Sequence, residues 1–355
     1  MSAASDAAPE LSLLAATLDK AVARLPAVPR LYRVAGDLVA IRVNERAAAL
    51  LEAFTPIRVS DDDGGAVALE VYIFDAVSDK LALPDTAITH RRATQTGGLG
   101  AFAAPGAQAF FQPDAGVLSL FDASRRRAYC WLRDSTALPY YEFAAPLRHL
   151  LQWWMLSRGG ALLHSAAVGT RDGGVLIAGP SGSGKSTTAL ACQEAGLGFT
   201  SDDYVLVSSG GPPTVHMAYS TSKVVRESLG AHDAYRRHFR NLERGDEKPM
   251  MFMHEVAPQR VLRSFPLRAI VVPVIAQRSS TRIVAASAAE VLRALAPSSI
   301  LLFPLAGATA FHRIAAMCRA VPCLRAELSG DPHDVADAFA RLLRQPASAG
   351  MAAVA

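Results

Sequence analysis

Lysine is scarce in this chain. It occurs only at Lys20, Lys80, Lys185, Lys223 and Lys248, so arginine supplies most of the 36 basic residues set against 32 acidic ones. The net charge of +4 is diffuse, and no basic stripe interleaved with aromatics argues for nucleic acid. Cysteine is equally sparse. Cys130, Cys192, Cys318 and Cys323 form no Cys-x-x-Cys, so a disulfide scaffold is not expected and the thiols read as buried or incidental. The nine histidines fall into no metal-ligand spacing, which excludes a structural zinc. No apolar run reaches the roughly 18 residues needed to cross a bilayer, and Met1 to Glu10 lacks the basic and apolar regions of a signal peptide. A cytoplasmic protein without membrane or nucleic-acid partners is the expectation, and 355 residues leave room for two domains.

What is present is sharper. Residues Gly179, Pro180, Ser181, Gly182, Ser183, Gly184, Lys185 and Ser186 complete a G-x-x-x-x-G-K-[ST] loop, with Thr187 following. Glycine lets successive N–H groups turn inward on a polyphosphate, Lys185 reaches the β- and γ-phosphates, and the Ser186 hydroxyl ligates Mg²⁺. Val175 to Ala178 suits a buried strand before the loop. Thr187 to Ala195, rich in alanine and without Gly or Pro, suits the helix after it. The pattern predicts binding of a nucleoside triphosphate.

Other signatures of nucleotide proteins are missing. The apolar runs Ala269 to Ala276 and Ile300 to Leu305 end in no acid, so neither is a Walker B strand. There is no Asn-Lys-x-Asp and no Leu-Ser-Gly-Gly-Gln. The acidic pair in strand-like surroundings is Asp202-Asp203, within Leu197 to Val207. A strand returning from the helix would lie beside the loop's strand and carry both carboxylates toward the γ-phosphate. Adjacent strand residues face opposite ways, so one carboxylate suits the metal and the other suits a proton from an incoming hydroxyl. Upstream, His164 sits in the apolar run Gly160 to Val168, and a hairpin through Thr170 to Gly174 would bring it near the loop. There it could orient a carboxylate or carry a proton; a packed core histidine is the structural alternative.

As a set, His164, Gly179 to Ser186 and Ser201-Asp202-Asp203 resemble the catalytic domain of the HPr kinase/phosphorylase family, which shares its nucleotide core with phosphoenolpyruvate carboxykinases. The matching stretch spans about fifty residues. The resemblance implies His164 and Lys185 as active-site residues, Ser186 as a magnesium ligand, Asp203 as proton acceptor, and Asp202 as a support for it or the metal. The family's Glu-Ile-Arg-Gly-Leu-Gly signature is matched only by Val224-Val-Arg-Glu-Ser-Leu-Gly230, which keeps Arg226 but has valine in place of the metal-binding Glu, with Glu227 as a displaced substitute. Because that signature belongs to the reverse reaction, a kinase without efficient reversal is implied. The lead-in Ala145 to Arg158 and Gly-Gly-Ala-Leu-Leu-His looks like HPr-kinase-like enzymes of peptide-tailoring clusters, including lasso-peptide-type kinases.

The expected fold is α/β. A P-loop nucleotide-binding core of HPr-kinase/PEP-carboxykinase type, residues 145–345, follows a smaller β-rich α+β N-terminal domain, residues 1–144, with an accessory or substrate-recognition role. Residues 346–355 are expected to be a disordered tail. Strand-like runs are Leu31 to Val43, Ala66 to Phe74, Gln108 to Phe121, Arg127 to Leu132 and Leu267 to Ala276. Helices are expected over Ala47 to Phe54, Ala145 to Leu156, Ala288 to Leu295 and Asp334 to Leu343. Glu243 to Met251 reads as a mobile loop near the site. Lys223, Arg226 and Lys248 are candidate phosphate or substrate contacts. The basic cluster Tyr235 to Arg240 with Arg244 reads either as a solvated helix face or as a surface gathering an acidic peptide. The reading is an ATP- and Mg²⁺-dependent kinase acting on a hydroxyl, with a serine of a peptide or small protein as acceptor. A small-molecule kinase or carboxykinase-like enzyme and a non-catalytic nucleotide switch stay open, as does a homo-oligomer.

Overall fold

A computed structural model describes residues 3–60, 64–86, 101–208, 210–276 and 278–345. Of Gly97 to Gly106, whose glycines suggest a loop, residues 97–100 lie outside the described residues, as does the 346–355 tail, while Ala101–Ala104 is a strand. The chain is mixed α/β and divides into two compact units, Met1–Ser157 with Phe303–Gly307, and Arg158–Leu302 with Ala308–Ala355. No described helix is long and apolar enough to cross a membrane.

The first unit is built on a seven-stranded sheet of β1 (Arg30–Val34), β2 (Asp37–Val43), β3 (Val67–Asp75), β4 (Ala101–Ala104), β5 (Ala107–Gln112), β6 (Val117–Asp122) and β7 (Arg127–Leu132), in the order β1-β2-β3-β7-β6-β5-β4. The run expected from Leu31 to Val43 is a hairpin, because Ala35 and Gly36 both take positive φ and turn the chain in two residues. Gln108 to Phe121 likewise splits at the Gly116 turn. A helix the sequence reading passed over, Ala3–Ala21, lays Leu11, Leu14, Leu18 and Ala21 on Tyr72, Phe74, Leu118 and Tyr129. Those four recur at the three- and four-residue spacing of one helix face. The expected helix 47–54 is a 3-10 segment over Glu45–Ile57. The expected helix 145–156 starts at Arg148, after Pro146 and a Leu147 with φ of 59°, and runs to Ser157. It groups with the first unit instead of bridging to the second: its Trp153 Nε1–H donates to Pro304 O at 2.9 Å, and its His149 packs edge-on to Phe303 and Phe110.

The second unit holds a nine-stranded sheet: β8 (Ala161–Leu163), β9 (Ala166–Thr170), β10 (Gly173–Ile177), β11 (Gly198–Ser201), β12 (Val205–Ser208), β13 (Thr214–Met217), β16 (Ser264–Ile275), β17 (Arg282–Ala285) and β18 (Cys323–Leu328). A separate ribbon pairs β14 (Thr221–Lys223) with β15 (Met250–Phe252). The buried centre is parallel, with β10, β16 and β18 side by side. Their Val175, Ile177, Val271 and Ala326 face the helices Lys185–Glu194 and Pro332–Arg344, which pack through Leu190, Cys192, Val335 and Phe339. Runs of apolar β-branched residues suit strands covered in this way. The hairpin expected through residues 170–174 joins β9 to β10. The strand after the loop helix does not lie beside β10: β11 pairs with β9, which stands between them. The helix Gly307–Ala320 and the strand β18 were not anticipated, and Ile300 to Leu305, weighed as a strand, is a helix end and turn.

Asp75, wholly buried at the end of β3, accepts hydrogen bonds from Ser78 N, Ser78 Oγ and Ser135 N at 2.8–2.9 Å. Burial alone would raise its pKa, but the Ser135 and Ser78 donors outweigh it and bring the carboxyl down to about 2. A folded value below the unfolded one stabilises above about pH 4, and that stabilisation is lost as pH falls toward 2. It amounts to about 2 kcal/mol. Thermal unfolding should therefore show an acid-sensitive loss that Asp75→Asn removes. The same loss in the variant would contradict this assignment.

Candidate active site

The loop after β10 is shaped by its glycines and by one lysine. Gly182 and Gly184 take φ of 82° and 95°, and Gly184 opens the helix that starts at Lys185. A Cβ on Gly179 would come within 2.5 Å of Ser183 Oγ, so that position needs a bare backbone. Lys185 is buried and folds back to donate from Nζ to Gly179 O at 2.7 Å and Pro180 O at 2.9 Å. Burial lowers its pKa, while Asp202 and Asp203 oppose that shift and Lys248 adds to it. Lys248 also donates to Ser181 Oγ at 3.2 Å across the loop.

The acidic pair owes its place to two breaks at one level of the sheet. β8 and β9 are consecutive in sequence, interrupted at His164-Ser165. β11 and β12 are interrupted at Asp202 to Tyr204. β9 pairs with β11 and β8 with β12, so the interruptions face one another, joined by Ser165 N–H to Asp203 O at 3.1 Å. The Ser165 hydroxyl donates to Ile177 O at 2.8 Å, tying this break to the strand end from which the loop departs. His164 and both acids were expected within strands; they occupy bends between strands. That is why adjacent carboxylates, freed from the two-residue alternation, can both be buried.

The two are held in opposite ways. Asp203 accepts from Lys223 Nζ at 2.5 Å on Oδ2, and its Oδ1 lies 3.0 Å from His164 Nε2. Burial would raise its pKa, but the Lys223 charge and the His164 hydrogen bond prevail and hold it far below the usual carboxylate range. Asp202 Oδ2 accepts from Ser222 Oγ and Lys223 N, both at 2.9 Å. Asp202 Oδ1 is buried with no hydrogen-bond partner. Burial raises the Asp202 pKa above the ordinary value, although Ser186, Ser222 and the Lys223 amide oppose that rise. Ser186 thus acts on Asp202 without a hydrogen bond of normal geometry to Oδ1. His164 Nδ1 and Ser183 Oγ are also buried without partners. Buried polar atoms left bare in a native fold call for an explanation, and three converge here.

The structure brings together His164, Lys185, Ser186, Asp202, Asp203, Lys223 and, through Ser181, Lys248. It does not bring Arg226 or Glu227 to the acids. Arg226 donates instead to the carbonyls of Asn241, Leu242, Arg244 and Glu247, tying down the segment expected to be a mobile loop. Glu227 is exposed on the 3-10 segment Arg226–His238, the form taken by the stretch read as a basic helix. The sequence reading missed Ser222 and Ser165. Single serines in short strands carry no spacing signal, and only the folded pairing of β14 with β15 and the double break give them roles.

No family model and no curated protein matches the chain. Among solved structures, an HPr(Ser) kinase/phosphatase from Coxiella burnetii is similar over 51% of this chain and 95% of that chain, at 10% identity and a TM-score of 0.30. At that level the match carries no argument about chemistry, which rests on the site itself.

The contrast between the carboxylates is measurable without any ligand. Asn at position 202 can accept from Ser222 and Lys223 N while removing a poorly solvated charge, so Asp202→Asn should leave the protein unchanged or stabilised by about 0.5–2 kcal/mol. Asp203→Asn strands Lys223 and should destabilise by roughly 2–3 kcal/mol, less than a fully buried pair because Lys223 reaches solvent. Urea unfolding at pH 7 measures both. Equal destabilisation would contradict the division of roles.

Proposed function

We propose that the chain is an ATP-dependent phosphotransferase that moves the γ-phosphoryl group to a hydroxyl, with a serine of a peptide or small protein as acceptor. The observation that carries this reading is the bare Asp202 Oδ1 beside Ser186 at the foot of the glycine loop, with the ionised Asp203 next to it. Carboxylate and hydroxyl oxygens are the donors that suit Mg²⁺, a hard cation that takes few protein ligands and keeps waters and phosphate oxygens for the rest. Asp202 and Ser186 would hold Mg²⁺, which when bound neutralises phosphate charge.

The remaining roles follow from the side chains. Lys185, now on the Gly179 and Pro180 carbonyls, exchanges them for β- and γ-phosphate oxygens. Loop N–H groups other than that of Ser183, which donates to Pro180 O at 3.3 Å, would spread the charge of the transferring group. The acceptor oxygen bonds to the γ-phosphorus as the bridging oxygen to the β-phosphate departs, and the hydroxyl proton passes to Asp203. Asp203 is a weak base with so low a pKa, yet it stays anionic at any working pH, and a loose transition state asks little base strength. His164 fixes its orientation through Oδ1. The exposed Arg236 and Arg237 offer an acidic peptide a complementary surface, in keeping with a lasso-peptide-type tailoring kinase, whereas Arg240 is paired with Glu255. The first unit is assigned substrate recognition.

The tight Asp203–Lys223 pair favours one alternative, a nucleotide switch in which the acids only maintain the site. Incubation with γ-labelled ATP and candidate acceptors distinguishes them: label on a peptide serine supports the kinase, label on a metabolite indicates a small-molecule kinase, and no transfer with intact ATP binding indicates the switch. Lys185→Ala should abolish measurable ATP binding in a calorimetric titration. Asp203→Asn should keep that binding and lose transfer by about 10²–10⁴-fold. Normal turnover in Asp203→Asn would remove Asp203 from the chemistry.

A further inference from the structure

A second feature adjoins the glycine loop. A cavity of about 180 Å³ opens beside Gly184 and Thr187, where the loop becomes helix Lys185–Glu194. Its floor is made by Thr188, Ala191, Leu328 and Val335, all buried. At its mouth Ile275, the last residue of β16, is 71% exposed, with Val274 also exposed behind it. Three hydroxyl side chains line it, Thr187, Thr188 and Ser329, and Ser329 is already satisfied. Its N–H donates to Thr281 Oγ1 at 3.0 Å and its hydroxyl to Asp334 Oδ2 at 2.8 Å.

We propose that this cavity receives the nucleobase of the nucleotide, and that it holds the base by apolar packing with little choice between purines. The inference rests on Gly179 to Ser186 being a triphosphate loop. Three observations carry it further. Gly184 and Thr187 belong to both loop and cavity, so a ligand whose phosphates sit on the loop amides has its other end directed along the start of the same helix. The volume is below the roughly 300–1,000 Å³ of pockets for drug-sized ligands and close to the roughly 150 Å³ that accepts a benzene ring, so it suits one planar ring system with an edge in solvent. The exposed Ile275 over the buried Ala191, Leu328 and Val335 gives that ring two apolar faces to lie between. An apolar slot of this kind rejects a ring with altered substituents poorly, because discrimination by more than about 10²-fold needs a polar group built to read them. Ser329, committed to Asp334 and Thr281, is no such reader, and the Thr187 and Thr188 hydroxyls, each donor and acceptor, suit a purine amino or carbonyl substituent alike.

Calorimetric titration of the full chain with ATP, GTP and inorganic tripolyphosphate, each with Mg²⁺, tests this. ATP and GTP should bind within about 10²-fold of one another, and tripolyphosphate at least about tenfold more weakly than either. Ala191→Phe fills the slot and should bring ATP down to the tripolyphosphate level without changing tripolyphosphate binding. Ile275→Ala alters only an exposed side chain and should weaken ATP several-fold while sparing tripolyphosphate, so it decides the matter if Ala191→Phe fails to fold. Tripolyphosphate binding as tight as ATP in the unaltered chain, or ATP binding unchanged in Ile275→Ala and in folded Ala191→Phe, overturns the base site and leaves the phosphate loop standing. A chain that binds none of the three ligands overturns the loop reading as well.

Discussion

Two neighbouring carboxylates are buried at one interruption of a sheet, and only one of them is neutralised. Asp203 has Lys223 and His164; Asp202 has two neutral donors on one oxygen and nothing on the other. Like charges this close drive their protonation equilibria apart, and the surroundings amplify the split, pushing Asp202 up and Asp203 down. The fold bears the cost of Asp202 by surrounding it with rigid structure. Ser222 and the Lys223 amide come from the β14–β15 ribbon, the Ser165 hydroxyl anchors the opposite break to β10, and the parallel centre fixes β10 itself. A charge kept poorly solvated in the resting protein is what a site poised for a cation would contain, and stability is commonly lower at such sites.

The glycine loop is the other half of the same arrangement. Lys185 is bonded to two loop carbonyls and is itself destabilised as a cation by burial, so the lysine suits an anionic partner and the bare Asp202 oxygen a cationic one. A polyanion accompanied by a divalent cation supplies both at once. Lys248, reaching Ser181 from the segment that Arg226 ties down, adds positive charge over the loop without depending on a flexible lid.

Much of this was legible in the residues. The glycine spacing, the helix after it and the hairpin between β9 and β10 follow from local patterns that the fold preserves. The strand assignment of His164, Asp202 and Asp203 failed for a tertiary reason: apolar neighbours promise a continuous strand, whereas two facing breaks are stable only together. The position of β11 differs because a crossover does not say which strand it returns beside, and β9 had already taken the place next to β10. Arg226 resembled a ligand-binding residue in sequence, yet its guanidinium is spent on four carbonyls that no motif announces. Lys223 was named for phosphate and is found on Asp203, a pairing that depends on the ribbon joining residues some twenty-seven apart in sequence. The helices Ala3–Ala21 and Gly307–Ala320 were passed over although the first carries an apolar stripe at helical spacing.

The central claim is that the unpartnered oxygen of Asp202 and the Ser186 hydroxyl form a cation site completed by a nucleotide. A crystal structure with Mn²⁺ and a non-hydrolysable ATP analogue measures it most directly, through the anomalous signal of the metal. The account predicts a peak bound by Asp202 Oδ1 and Ser186 Oγ, with the triphosphate on the loop amides. A nucleotide bound elsewhere, or a metal on the triphosphate with Asp202 Oδ1 still bare, would contradict it.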